Sequence, residues 1–150
     1  MTDKIEETVL KPENLPCFSL YSAANAMVRS YRPVLDELDL TYPQYLAMLV
    51  LWNGDALNVK TLGEKLHMDS GTTTPLLKRM EAKGLVLRER CTQDERACIV
   101  RLTEAGRALK QQALKIPKVM GAKITISPEE GMALKGLCDK LHDGLVANSH

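Results

Sequence analysis

Aromatic residues make up only 4% of the 150-residue chain, with a single Phe and a single Trp. So few rings, beside 45% apolar residues in which Leu, Ala and Met recur among Lys and Glu, exclude an all-β fold and lean the chain towards helix. No apolar run is long enough for a membrane span, and the opening MTDKIEETVLKPEN is polar and acidic where a secretion signal would be basic and then apolar. A cytoplasmic protein with no membrane partner is the expectation. Net charge is nearly missing as well: at +1, the chain can meet a polyanion only through a local basic patch. Repeats, low-complexity tracts and Pro/Ser linkers are absent, and the length fits one domain over 1–150. Cys17, Cys91, Cys98 and Cys138 show neither C-x-x-C spacing nor the density of a disulfide framework, so each thiol is judged singly. Cys91, Cys98 and His67 are too loosely spaced for a metal and want a fourth ligand, so neither metal nor cofactor is expected.

What is present is a series of helix signals broken by one change of period. A first helix is expected to open at Asn14 as N-cap and run past Tyr31, with Phe18, Leu20, Tyr21, Ala24, Met27 and Val28 at helical spacings and Pro33 as a kink. In TYPQYLAMLVLW, Thr41 and Gln44 are spaced as a capping box, Pro43 falls in the first turn, and Asn53 and Gly54 mark the end. LNVKTLGEKLHM gives a short helix with Val59, Leu62 and Leu66 inward, and DSGTTTPLLKRMEAKG gives another ending at Gly84. Two starts compete for the latter, one near Ser70 and one with Thr74 as cap and Pro75 first. LVLRERCTQDERACIVRL then reads as two strands around a polar loop. Thr103 caps EAGRALKQQALKI, Pro117 breaks it, and Ser127, Pro128 and Glu130 open a last helix.

Helix, helix, hairpin is the order of a winged helix-turn-helix, whose second helix enters the major groove while the hairpin follows the backbone. The expected fold is mainly α with a small β-hairpin wing. DSGTTTP places Ser70, Thr72, Thr73 and Thr74 at a helix N-terminus, where N–H groups favour phosphate and hydroxyls reach base edges. Thr72 and Arg79 share one face; Leu76, Leu77 and Met80 take another. Taken alone, those hydroxyls are as readily explained as caps. The hairpin adds Arg88, Arg90, Arg96 and Arg101, four guanidiniums within fourteen residues, and an arginine at a hairpin tip suits a narrow minor groove. Pairing of those arginines with Asp94 and Glu95 on a solvated surface is the competing explanation.

TYPQYLAMLVLW, LGEKL, DSGTTTPLLKRMEAKGLVLRER, DER and LTEAGRAL, with CFSLYSA near the N-terminus, resemble the MarR family of winged-helix regulators, specifically its OhrR-type branch of organic hydroperoxide sensors. The likeness covers about residues 13 to 117. It implies a homodimeric repressor that binds a palindromic double-stranded operator when reduced and releases it when oxidised, with dimerisation helices over about 14–40 and 103–150 and a DNA-binding core over about 41–102. By position, Cys17 is the reactive cysteine, Tyr31 and Tyr42 hold its thiolate and Tyr21 lines the pocket. The implied DNA-facing set is Asp69, Ser70, Thr72, Thr73, Lys78, Arg79 and Arg88, with Asp94 and Arg96 at the wing tip. Two departures stand out: Pro16 replaces an apolar residue, and KVMGAKITIS lacks the resolving cysteine that some members carry after the break near Pro117.

With Asn14 as cap, Cys17 falls at the third helical position, where unpaired N–H groups and the dipole favour an anion. Phe18, Leu20 and Leu46 would admit an apolar peroxide, and the sulfenic acid formed would be capped by a small thiol as a mixed disulfide, or by Cys138 or another cysteine. A buried structural cysteine is the plain alternative, kept for Cys91, Cys98 and Cys138. Three functions follow. They are a redox-switched repressor, a regulator released by a bound small aromatic ligand with Cys17 structural, and a thiol peroxidase; the last lacks a catalytic arginine and leaves the basic hairpin unexplained, so no enzyme is expected.

Overall fold

The computed structural model describes residues 7–54, 56–89 and 98–149. A 3₁₀ turn (Pro12–Asn14) precedes α1 (Pro16–Asp36) and α2 (Tyr42–Asn53). Next come β1 (Leu57–Asn58), α3 (Val59–Lys65), α4 (Ser70–Ala82), β2 (Val86–Glu89) and β3 (Ile99–Leu102). The chain finishes with α5 (Glu104–Ala113), α6 (Ile116–Gly121) and α7 (Pro128–Ala147). Helix, helix and hairpin therefore follow one another as a winged helix-turn-helix. None of the described helices is long and apolar enough to cross a membrane.

Several boundaries follow from local chemistry. At Thr41 the hydroxyl accepts from Gln44 N–H while Gln44 Oε1 accepts from Thr41 N–H, the reciprocal capping box that the spacing predicts. Ser127 and Glu130 repeat it at α7. Thr103 caps α5 and also donates to the Gly84 carbonyl, tying the helix to the turn before β2. The expected cap at Asn14 is not formed. Its amide donates instead to the Thr8 carbonyl, Leu15 occupies the cap, and Pro16, with its φ preset for helix, takes the first position. Cys17 is thus the second helical residue, not the third. Pro33 lies inside α1, which continues to Asp36. Pro117 does not make the break: α5 ends at Ala113, and Pro117 sits in the first turn of α6, where a missing N–H costs nothing.

The start of α4 is settled at Ser70. Asp69 accepts from Thr72 N–H at 2.9 Å, and Thr73 Oγ1 donates to the Asp69 carbonyl at 2.8 Å. These two bonds fix the first turn, and Pro75 falls inside the helix. The turn from α3 to α4 is tight. His67 takes a left-handed φ of 55°, and a Cβ on Gly63 would lie 2.9 Å from the Met68 carbonyl and 3.0 Å from Thr73 Oγ1.

The sheet has three antiparallel strands in the order β1-β3-β2, with Leu57 opposite Val100 and Val86 opposite Leu102. The two-residue strand Leu57–Asn58 adds to the expected hairpin. Residues through Ile116 form one compact unit and those from Pro117 a second. In the first, Leu35, Met48, Leu51, Leu62, Leu77, Met80, Val86, Val100 and Ile116 are fully buried, drawing helices and sheet onto one core. Trp52 donates to the Gly106 carbonyl at 2.9 Å, and a Cβ at Gly106 would meet the Leu85 carbonyl at 2.2 Å, so α5 closes on the core at a position only glycine fills. The second unit is carried by α7, along which Met132, Leu137 and Leu145 are each more than 60% exposed.

Candidate functional site

Two groups of residues carry chemistry, and they lie on different elements. The first is the outer face of the helix-turn-helix. Ser70, Thr72, Lys78 and Arg79 are exposed along α4, while Thr73, Leu76, Leu77 and Met80 are buried beneath them. Thr73 departs from the expectation: its hydroxyl is spent on the Asp69 carbonyl and packed against the Gly63 turn. Asp69 is exposed and serves as the cap. A groove between α3 and the first turn of α4 is lined by Lys60, Glu64, Asp69, Ser70 and Thr74.

Arg88 also sits differently from a free surface cation. Its guanidinium pairs with Glu81 at 3.3 Å, the same carboxylate accepts from the Arg88 backbone N–H at 3.1 Å, and its Nε is buried without a partner. Arg88 therefore links the last turn of α4 to the wing strand. Arg101 pairs with Glu89 across the same ladder at 2.6 Å. Neither pair was foreseen; both partners stand close in sequence or register, which is the signal that would have found them. Arg90, Cys91, Asp94, Glu95 and Arg96 lie outside the described residues.

The second group is on α1 and α2. Cys17 is exposed in the first turn of α1. Phe18, Leu20 and Tyr21 beside it are 47%, 40% and 67% exposed, so none is enclosed by its own chain. At the other end of α1, Tyr31 lies against Tyr42 with ring centroids 5.0 Å apart and against Tyr45 at 5.8 Å. Burial, reinforced by Tyr42, raises the Tyr31 pKa above that of a free phenol, and burial does the same for Tyr45. Both phenols are neutral O–H donors at ordinary pH. Tyr45 was not among the expected residues, although its place three after Tyr42 puts it on the same helical face. The structure brings the tyrosines together and leaves Cys17 apart from them: fourteen residues along the unbroken α1 span about 21 Å.

These features have parallels among known proteins. The model of the family of SarA/Rot transcriptional regulators matches residues 29–113. An organic hydroperoxide resistance transcriptional regulator of Bacillus subtilis (strain 168) is 47% identical over 133 residues, which are 89% of this chain and 88% of the relative. Among solved structures, reduced AbfR bound to DNA is 31% identical, with 95% of this chain and 99% of that chain covered and a TM-score of 0.74. A mutant MarR from E. coli complexed with operator DNA is 26% identical, with 88% and 97% covered and a TM-score of 0.75. The family match spans the winged-helix core and the relatives span nearly the whole length, with the sheet and recognition-helix order described above: the chain belongs to the SarA/Rot and MarR-type winged-helix transcriptional regulators.

Proposed function

We propose that the chain is a dimeric repressor that binds palindromic operator DNA in its reduced form and is released when an organic hydroperoxide oxidises Cys17. The observation that carries this reading is the exposed Cys17 thiol in the first turn of a helix whose neighbouring side chains, Phe18 and Leu20, are apolar and uncovered. The Bacillus relative's name supports the oxidant class, and structures of reduced and overoxidized AbfR on DNA support a regulator that meets both oxidants and DNA.

The chemistry balances with few groups. The Cys17 thiolate attacks one peroxide oxygen, the O–O bond breaks, and the departing alkoxide takes a proton to leave an alcohol; sulfur is oxidised to the sulfenic acid as the peroxide is reduced. A small cellular thiol then displaces the sulfenic hydroxyl as water, giving a mixed disulfide. A phenol within hydrogen-bond reach would steady the thiolate, and on its own chain only Tyr21, one turn away, is near enough. Tyr31 and Tyr42 come from a second subunit whose α1 crosses the first. The apolar residues left uncovered on α1 and α7 support such a partner. Ser70, Thr72, Lys78 and Arg79 face the major groove from α4, and Arg96, which the resemblance places at the wing tip with Asp94, supplies the minor-groove contact.

The test uses a duplex selected by the reduced protein from a random-sequence library. Cumene hydroperoxide should release the parent and leave Cys17→Ser bound. Release of Cys17→Ser by peroxide, or release of the parent by small phenols alone, would contradict the reading and favour a ligand-sensing regulator.

A further inference from the structure

Lys83 stands at the C-terminal cap of α4, yet its side chain belongs to another element. Its Nζ donates to the Asp39 carbonyl at 2.6 Å and to Gln44 Oε1 at 2.9 Å, with the Asp39 carboxylate 3.7 Å away. Asp39 turns the chain from α1 into α2 with a left-handed φ of 53°. Gln44 is only 3% exposed, and the oxygen that receives Lys83 also receives Thr41 N–H at 3.1 Å. Gln44 lies in the helical turn that carries Tyr42 and Tyr45, the two rings packed on Tyr31. One ammonium thus joins the end of the DNA-reading helix to the turn that carries the tyrosines.

We propose that Lys83 is a positioning residue that transmits a change at the tyrosine cluster to α4. This rests on the function proposed above. Apolar packing between α2 and α4 resists separation but tolerates sliding, whereas two hydrogen bonds of 2.6 and 2.9 Å fail under a shift of about 1 Å. A displacement of the first turn of α2 is therefore passed through Lys83 to α4, because keeping both bonds requires the ammonium to follow. Lys83 caps the end of α4 opposite Ser70 and Thr72, and its ammonium is bonded to Asp39 and Gln44.

The experiment compares operator affinity before and after complete oxidation with cumene hydroperoxide in the presence of cysteine, for the parent and for Lys83→Met. Lys83→Met should oxidise at Cys17 at the parental rate by intact-protein mass and bind DNA in the reduced state within about 3-fold of the parent, while its oxidised-to-reduced affinity ratio shrinks by about 10-fold. Lys83→Gln, too short to span to Gln44, must show the same collapse and serves if Lys83→Met folds poorly. A parental ratio in either variant overturns the proposal, including the case where both states weaken equally, as a purely structural lysine would require. Failure of oxidation to release the parent itself would instead refute the redox reading.

Discussion

Helices α1 and α2 are both rich in apolar residues, but they use them in opposite ways. Over 12 residues α2 buries Gln44, Tyr45, Ala47, Met48 and Leu51, whereas α1, at 21 residues, buries only Val34 and Leu35 at its far end. The core accounts for the buried face of α2. It leaves Phe18, Leu20, Tyr21, Met27 and Val28 of α1 exposed, the first three of them within about one turn of Cys17. Where one chain cannot cover an apolar helix, a partner that covers it can also complete a site, and on α1 Cys17 and Tyr31 are held about 21 Å apart by the helix itself.

The contrast is sharpest in stability. Leu51→Ala should cost about 2–5 kcal/mol in urea unfolding, because a fully buried leucine leaves a cavity. Phe18→Ala should cost less than about 0.5 kcal/mol in a monomeric form, as expected for an exposed position, and should weaken self-association seen by sedimentation. A monomer destabilised by Phe18→Ala as much as by Leu51→Ala would erase the distinction. Next in size, Arg79→Ala should weaken operator binding by about 1–3 kcal/mol with unfolding unchanged, since the residue is exposed on α4; unaltered binding would remove it from the DNA face.

The smallest effect is one of pH. Tyr31 and Tyr45 have raised pKa values in the folded chain, whereas a phenol in the unfolded chain ionises near about 10. Below that pH both states hold their protons. Above it the unfolded state loses them first, so stability should fall as pH rises from about 10 through the folded values, and Tyr31→Phe should flatten the fall. A pH-stability curve unchanged by Tyr31→Phe would show that Tyr31 is not shielded.

Features set by residues close in sequence were legible from it. The capping boxes at Thr41 and Ser127, the cap at Thr103 and the turn at Gly84 all depend on partners within a few positions. Asn14 misled because a cap-forming amide can equally bond backward, as it does to Thr8, and because Pro16 is a stronger start signal. Thr73 was ambiguous for a related reason: a hydroxyl that can face a base edge can also close its own first turn. The strand Leu57–Asn58 has no length of its own and exists through pairing with Ile99 and Val100. Lys83 and Gln44, 39 residues apart, meet only once the helices pack. Tyr31 and Tyr42 were expected to serve Cys17; within the chain they pack on each other, and Tyr31 also packs on Tyr45, which was overlooked.

The central claim is that the thiol of one subunit is served by the tyrosine of the other, and a mixed dimer addresses it directly. In a heterodimer of Tyr31→Phe with Cys17→Ser, the remaining thiol belongs to the Tyr31→Phe chain, and the proposed crossing of the α1 helices would set it against the intact Tyr31 of its partner. Its rate of reaction with cumene hydroperoxide, followed by stopped flow or by intact-protein mass, should match that of the parent. A rate as slow as that of the Tyr31→Phe homodimer would contradict the arrangement across the interface.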